Sequence, residues 1–202
     1  VFGRQAVVDV GKGSSVRVLG IDPGLTRCGV AVIDGRAGST LTAVHVGVIR
    51  TDPQEAVERR LQGVYAGLAA LVEEFSPESI AIERVFSQHN VRSAMATAQA
   101  AAMGLLLASQ CELPVALHTP TEVKAAVTGS GRADKAQVTS MVTRILRLPG
   151  PPKPADAADA IAIAVCQIWR GETQRRLADA VARAHAHAEP VLAPVASRGG
   201  RG

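Results

Sequence analysis

Aromatic side chains are almost absent: Phe2, Tyr65, Phe75, Phe86 and Trp169 make up 2% of the 202 residues. Any core must therefore be assembled from Ala, Val, Leu and Ile. The 47% hydrophobic content is enough for such a core and excludes global disorder. Long apolar runs are missing too. The longest candidate, Ala94 to Ser109, is interrupted by Thr97, Gln99 and Gly104. It falls short of the ~18 residues that a membrane span needs, so no membrane role is expected. Residues 1–15 carry Arg4, Asp9 and Lys12 with no apolar stretch, unlike a secretory signal. Cysteine is scarce. Cys28, Cys111 and Cys166 are odd in number and fit no zinc spacing, and they read as reduced small hydrophobes of a cytoplasmic protein.

The net charge of +4 is modest, but its distribution is uneven. From Val16 to Glu83, six Lys/Arg face nine Asp/Glu; from Arg84 to Lys153, eight face three. A basic excess in the second half is a footprint that nucleic-acid binding leaves, although a solvated surface leaves it as well.

Residues 1–15 read as a disordered N-terminal extension, 16–170 as one domain, and 171–202 as a frayed or disordered basic tail, with His185 and His187 as exposed spectators. Three β-rich runs come first: Val16 to Ile21, Gly29 to Ile33 and Leu41 to Arg50. The short turns at Asp22-Pro23-Gly24 and Asp34-Gly35 imply an antiparallel meander. Asp52-Pro53-Gln54-Glu55 then reads as a helix start, and Val57, Leu61, Val64, Leu68, Leu71 and Phe75 form one helical face. Ser79 to Ile82 is a continuous apolar strand, a helix spans about Val91 to Cys111, and Pro114 to His118 is a strand. Helices follow at Pro120–Val127, Asp134–Leu148 and Ala155–Trp169. The order gives an α/β fold: a five-stranded mixed sheet, three antiparallel strands then two parallel, with helices on both faces.

Four carboxylates stand in unusual places. Asp22 and Glu83 each end an apolar strand. Asp156 and Asp159, three apart, share one face of an otherwise apolar helix. Singly, Asp22 fits a turn residue, Glu83 a surface cap and Asp156 an N-cap. If the first strand is central and lies beside the fourth, Asp22 and Glu83 project at neighbouring points, and the helix with Asp156 and Asp159 can close over them. Mutual repulsion there asks for one or two divalent cations, and oxygen donors select Mg2+ or Mn2+ over Zn2+.

Four segments carry a resemblance: Gly20-Ile21-Asp22-Pro23-Gly24 with Gly29 beyond; Ala81-Ile82-Glu83-Arg84-Val85-Phe86; Ala133-Asp134-Lys135-Ala136-Gln137-Val138; and Ala155-Asp156-Ala157-Ala158-Asp159-Ala160. In this order, over about Val16 to Trp169, the chain resembles the RuvC family of bacterial Holliday-junction resolvases. The resemblance implies an RNase H-like fold and a homodimeric endonuclease dependent on Mg2+, with Mn2+ able to substitute and two ions per subunit. Such an enzyme nicks two opposed strands of four-way junction DNA in recombination and repair, working with the RuvA–RuvB branch-migration motor. Carried over by position, Asp22, Glu83, Asp156 and Asp159 become the metal-binding catalytic carboxylates. Some members carry His at the position of Asp156. Phe86 matches an aromatic at the junction crossover, and Lys124 and Lys135 match basic residues near the scissile phosphate. Arg84, Arg92 and Arg132, from the same basic stretch, join them as DNA-binding candidates.

Two other classes stand beside this reading. A non-catalytic RNase H-like DNA-binding protein would not need all four carboxylates. An actin-like or sugar-kinase-like ATPase shares the first hairpin, but a second phosphate-binding hairpin is missing and 202 residues are few for two lobes. Finally, the helix from Val91 to Cys111 is apolar nearly all round. One face is expected on the sheet and another at a two-fold axis, with Gly104 allowing close approach between copies.

Overall fold

Alternation along the first strand decides which side of the sheet each helix covers. The computed structural model describes residues 15–84 and 91–187, with side chains omitted at 91–92 and 172–187. Its strands are β1 (Val16–Asp22), β2 (Arg27–Gly35), β3 (Thr42–Arg50), β4 (Ser79–Glu83) and β5 (Val115–His118). They form one sheet in the order β3-β2-β1-β4-β5. β1 pairs antiparallel with β2, and β2 with β3; β1–β4 and β4–β5 are parallel. The expected meander, the two parallel strands and the central position of β1 are all present.

In β1, Leu19 and Ile21 pack with the helices α1 (Val57–Phe75) and α2 (Val91–Gln110), whereas Val18 joins the opposite core. That opposite core holds α3 (Pro120–Thr128), α4 (Lys135–Ile145) and the first part of α5 (Ala155–His187). In β4, Ile80 and Ile82 face α1 and α2, and Ala81 faces α5. A strand repeats every two residues, so Asp22 continues the face of Val18, and Glu83 that of Ala81. Both carboxylates therefore leave the sheet toward α5.

Gly20 sets how closely α5 lies on β1. A Cβ there would run into the Ala160 carbonyl oxygen and stand 2.8 Å from the Ala164 amide nitrogen. Because both obstacles are backbone, Gly20→Ala must push α5 off the sheet. We expect it to lower the melting temperature by roughly 5–10 °C, measured by circular dichroism.

Several elements differ from the sequence reading. Asp52 does not cap α1. Its Oδ1 accepts from the Gln54 amide (2.9 Å) in a separate turn, and the helix starts at Val57 with no side-chain cap. Gly104 faces inward, where a Cβ would lie 2.9 Å from Ile82 Cδ1 and 3.1 Å from Ile21 Cδ1. Its missing side chain thus serves the α2–sheet contact rather than a contact between copies. α5 runs on to His187, past Trp169 and through Gly171, because the Ala, Arg, Leu and Gln that follow favour helix and a single glycine does not end it. The described residues divide into a unit ending at Glu172 and a second beginning at Thr173. Buried Cys28 and Cys166 are free thiols pushed up to about 12 chiefly by burial, which keeps them protonated and inert. Among the described residues no helix is long and apolar enough to cross a membrane.

Candidate active site

Asp22 and Glu83 end neighbouring parallel strands, and α5 lies over them, held close by Gly20 and Gly29. Gly29 pairs with Asp22 across the β1–β2 ladder, and a Cβ on it would collide with the Asp156 carbonyl. Asp22, Glu83 and Asp159 line a cleft of about 230 Å³ together with Lys124 from α3 and Lys135 from α4. Asp156 stands at its margin, where its Oδ2 accepts from Arg27 Nε at 2.5 Å. Asp159 Oδ2 accepts from Lys135 Nζ at 2.7 Å.

α3 and α4 are placed by their own caps. Thr119 accepts from the Glu122 amide while the Glu122 carboxylate accepts from the Thr119 amide, and Asp134 and Gln137 repeat the exchange. These boxes fix where Lys124 and Lys135 emerge. His118, buried at the end of β5 in register with Glu83, bonds Gln167 of α5 at 2.9 Å. Its carbonyl accepts from the Arg84 amide at 2.7 Å, which tethers the chain just after Glu83.

The electrostatics are dominated by crowded like charges. Burial pushes the Asp22 carboxyl up to about 7, and Glu83, Asp159 and Asp156 add to the shift, with Lys135 opposing it. Glu83 is raised by burial and by Asp159, against Lys124 and Lys135. Lys135 is held above the ordinary lysine value by its hydrogen bond to Asp159. The folded chain thus binds the Asp22 proton more tightly than the unfolded chain does. This contribution to stability is complete below about pH 4 and is lost as pH rises through about 7, by up to a few kcal/mol. We expect the melting temperature in chelator to fall between pH 5 and pH 8. Added Mg2+ should reverse most of that fall at pH 8.

Among the described residues no three carboxylates already stand as a closed ligand cluster. Two of the four are instead turned to Arg27 and Lys135. The donor chemistry nevertheless suits a hard divalent cation: oxygen ligands only, partly buried, mutually repelling, and open on the cleft side.

The remaining candidates are scattered. Arg84 is exposed directly after Glu83, and Arg132 lines a separate groove of about 610 Å³ beside the start of α4. The Arg92 side chain and the whole of Phe86 lie outside the described residues. Sequence reading missed Arg27. Its only signal was its place shortly after the Asp22-Pro23-Gly24 turn, beyond Leu25 and Thr26, and its partner lies 129 residues away.

The sequence pattern of the family described as crossover junction endodeoxyribonuclease RuvC matches residues 18–167. The crossover junction endodeoxyribonuclease RuvC of Streptomyces avermitilis is 61% identical over 167 residues, covering 83% of this chain and 95% of that one. The protein of the same name from Thermobifida fusca is 58% identical over 165 residues, covering 82% and 91%. The solved structure of Thermus thermophilus RuvC in complex with Holliday junction substrate is similar with a TM-score of 0.75 and 32% identity, covering 79% of this chain and 96% of that one.

Proposed function

The chain belongs to the RuvC family of crossover junction endodeoxyribonucleases and has its RNase H-like fold; from that premise we propose how its own residues do the work. It is a metal-dependent Holliday-junction resolvase that nicks two opposed strands of a four-way junction. The observation that carries this is the convergence of Asp22 and Glu83 from two strand ends with Asp159 from α5 on one cleft. Family membership sets aside the ATPase and scaffold alternatives.

Asp22, Glu83, Asp156 and Asp159 would hold the metal, which we take to be Mg2+, replaceable by Mn2+, with two ions per subunit. Bound there, such ions supply a nucleophilic water and stabilise the departing 3′ oxygen. The chain does the rest. Asp22, on the central strand and flanked by all three other carboxylates, would be the central ligand of the site. Glu83 is fixed by the β4–β5 ladder. Lys124 and Lys135 hold the phosphate, which is most of what phosphoryl transfer asks of a protein. Lys135 also holds Asp159 in place through its hydrogen bond to Oδ2.

The apolar residues left outside the core fit a second copy of the chain. On α2, Met95 is 60% and Leu106 47% exposed, and Leu105 is exposed beside them. On the edge strand β5, Val115 and Leu117 are exposed, and their register with Ile80 and Ile82 puts them on the α2 side of the sheet. A homodimer through this surface would present two clefts to opposed strands. Residues 16–170 form the nuclease unit in this proposal, and the RuvA–RuvB motor is its partner in the cytoplasm.

Lys124→Ala and Lys135→Ala test the phosphate contacts. Junction affinity followed over a salt series should lose about one unit of log–log slope per substitution, doubled in a dimer. An unchanged slope would remove these lysines from the phosphate.

A further inference from the structure

Beside the carboxylates, the same end of the sheet carries arginines that no catalytic role absorbs. β2 starts at Arg27 and β3 ends at Arg50, and the two are directly paired across the antiparallel ladder. Asp22 pairs with Gly29 on the same β2, so both arginines lie at the end of the sheet where the carboxylates emerge. Like charges facing each other across two strands destabilise the pair. The Arg50 side chain is exposed and makes no ion pair or hydrogen bond among the described residues, so the fold gains nothing visible from its charge.

A third guanidinium braces the place. Arg60 of α1 donates through Nε to Thr51 Oγ1 (3.1 Å) and through a terminal nitrogen to Thr26 Oγ1 (2.6 Å). The Thr51 amide donates to the Thr26 carbonyl at 3.2 Å. Thr26 and Thr51 are the immediate neighbours of Arg27 and Arg50, so the backbone under both arginines is fixed. Of the three, only Arg27 has an ion pair among the described residues, to Asp156, and it spends only Nε on it. Its terminal nitrogens make no hydrogen bond among the described residues, and a guanidinium has five N–H donors. The nearest acidic group in sequence, Asp52, is turned to the Gln54 amide.

We propose that Arg27 and Arg50 form a phosphate-binding site for the nucleic-acid strand that enters the cleft, outside the scissile position and on the β3 side of it. Arg27 bridges, one edge on Asp156 and the other on phosphate, while Arg50 binds the next phosphate out. Strands in a sheet lie about 4.8 Å apart, so these arginines sit one and two strands away from Asp22. Successive phosphates advance about 3.4 Å along a duplex axis and stand further apart along the backbone itself, a span that long side chains on adjacent strands can cover. Arginine forks match phosphate oxygens two at a time and are weakly hydrated, which suits this exposed edge better than lysine. Lys124, in the helix after β5, then holds the strand from the opposite edge of the sheet. The backbone is gripped on both sides of the reacting phosphate.

The inference rests on the nuclease reading, and the test separates the two. Four-way junction binding by the full chain is followed in chelator across a salt series, for wild type, Arg50→Gln, Arg27→Gln/Arg50→Gln and Arg50→Lys, with melting temperatures measured alongside. Arg50→Gln should lower the salt slope by about one, or two in a dimer, at an unchanged melting temperature. The double variant should lower it by about twice as much. Arg50→Lys should keep the slope, because the charge stays. Wild-type slope and affinity in Arg50→Gln would overturn the site while leaving the nuclease reading standing. So would an affinity loss matched by a fall in melting temperature. Failure of the wild-type chain to bind the junction would overturn the reading and the site together.

Discussion

Asp22→Asn is expected to cut strand cleavage more than a hundredfold while junction binding persists, and to melt higher than wild type in chelator at pH 8. The substitution keeps the shape of the side chain and removes one charge from the most crowded point of the cleft. The loss of cleavage follows from the central position of Asp22. It stands on the middle strand, next to Glu83 on β4 and within the field of Asp159 and Asp156. Losing a partner one shell out from a metal typically costs 10–100-fold, and a direct ligand costs more. The gain in stability follows from the Asp22 carboxyl standing at about 7 because of burial and repulsion: an amide there escapes both. The two effects have opposite sign, which an unfolded or misfolded variant cannot imitate. Glu83→Gln should show the same pair of effects, since its carboxyl is displaced in the same direction by the same causes. Ordinary metal-dependent cutting by either variant would remove the assignment.

Leu106→Glu is the second large effect. A buried Leu side chain is worth about 1.5–3 kcal/mol, and a two-fold interface contains it twice, with two unpaired charges added by the substitution. The dimer constant should weaken on the order of 10³-fold, seen as a monomer by sedimentation, with the far-UV circular dichroism of the wild type. Paired nicks on the junction should become single nicks. Ala101→Glu, five residues earlier on the inward side of the same helix, is the contrast. Ala101 is 7% exposed and packs with the core beneath α2, so glutamate there should unfold the chain rather than separate two copies. A folded dimer of Leu106→Glu at micromolar concentration would place the interface elsewhere.

The strand ends were legible because polarity changes abruptly there. Val-Leu-Gly-Ile runs into Asp22 and Ile-Ala-Ile into Glu83, and the period of two then carries each carboxylate to one side. Asp156 and Asp159 were legible from the three-residue spacing on an apolar helix. The order and the meander followed from short turns, whereas the central place of β1 entered only as the condition under which Asp22 and Glu83 would meet. What sequence spacing does not carry is contact between distant segments. Arg27 meets Asp156 across 129 residues, and nothing local marks either as the other's partner. Gly104 looked like a contact point between helices of two copies, whereas its neighbours Ile21 and Ile82 belong to the sheet, which only the tertiary fold brings beneath it. Asp52 and Pro53 have the composition of a helix start and form a turn instead, because Asp52 accepts from Gln54 two residues on rather than capping the helix. The four carboxylates were read as gathered around one point. In the folded chain Asp156 is held by Arg27 and Asp159 by Lys135, so the cleft is lined by three of them and flanked by the fourth.

The central claim is that these carboxylates make the chain a metal-dependent nuclease selective for branched DNA. Its most direct test is incubation of the purified chain with an end-labelled four-way junction and with linear duplex of the same sequence, each with Mg2+ and with chelator, and mapping of the nicks. The account expects paired nicks at symmetric positions in opposed strands of the junction with Mg2+, none in the linear duplex, and none in chelator. Cleavage that persists in chelator, or duplex cut as readily as junction, would contradict it.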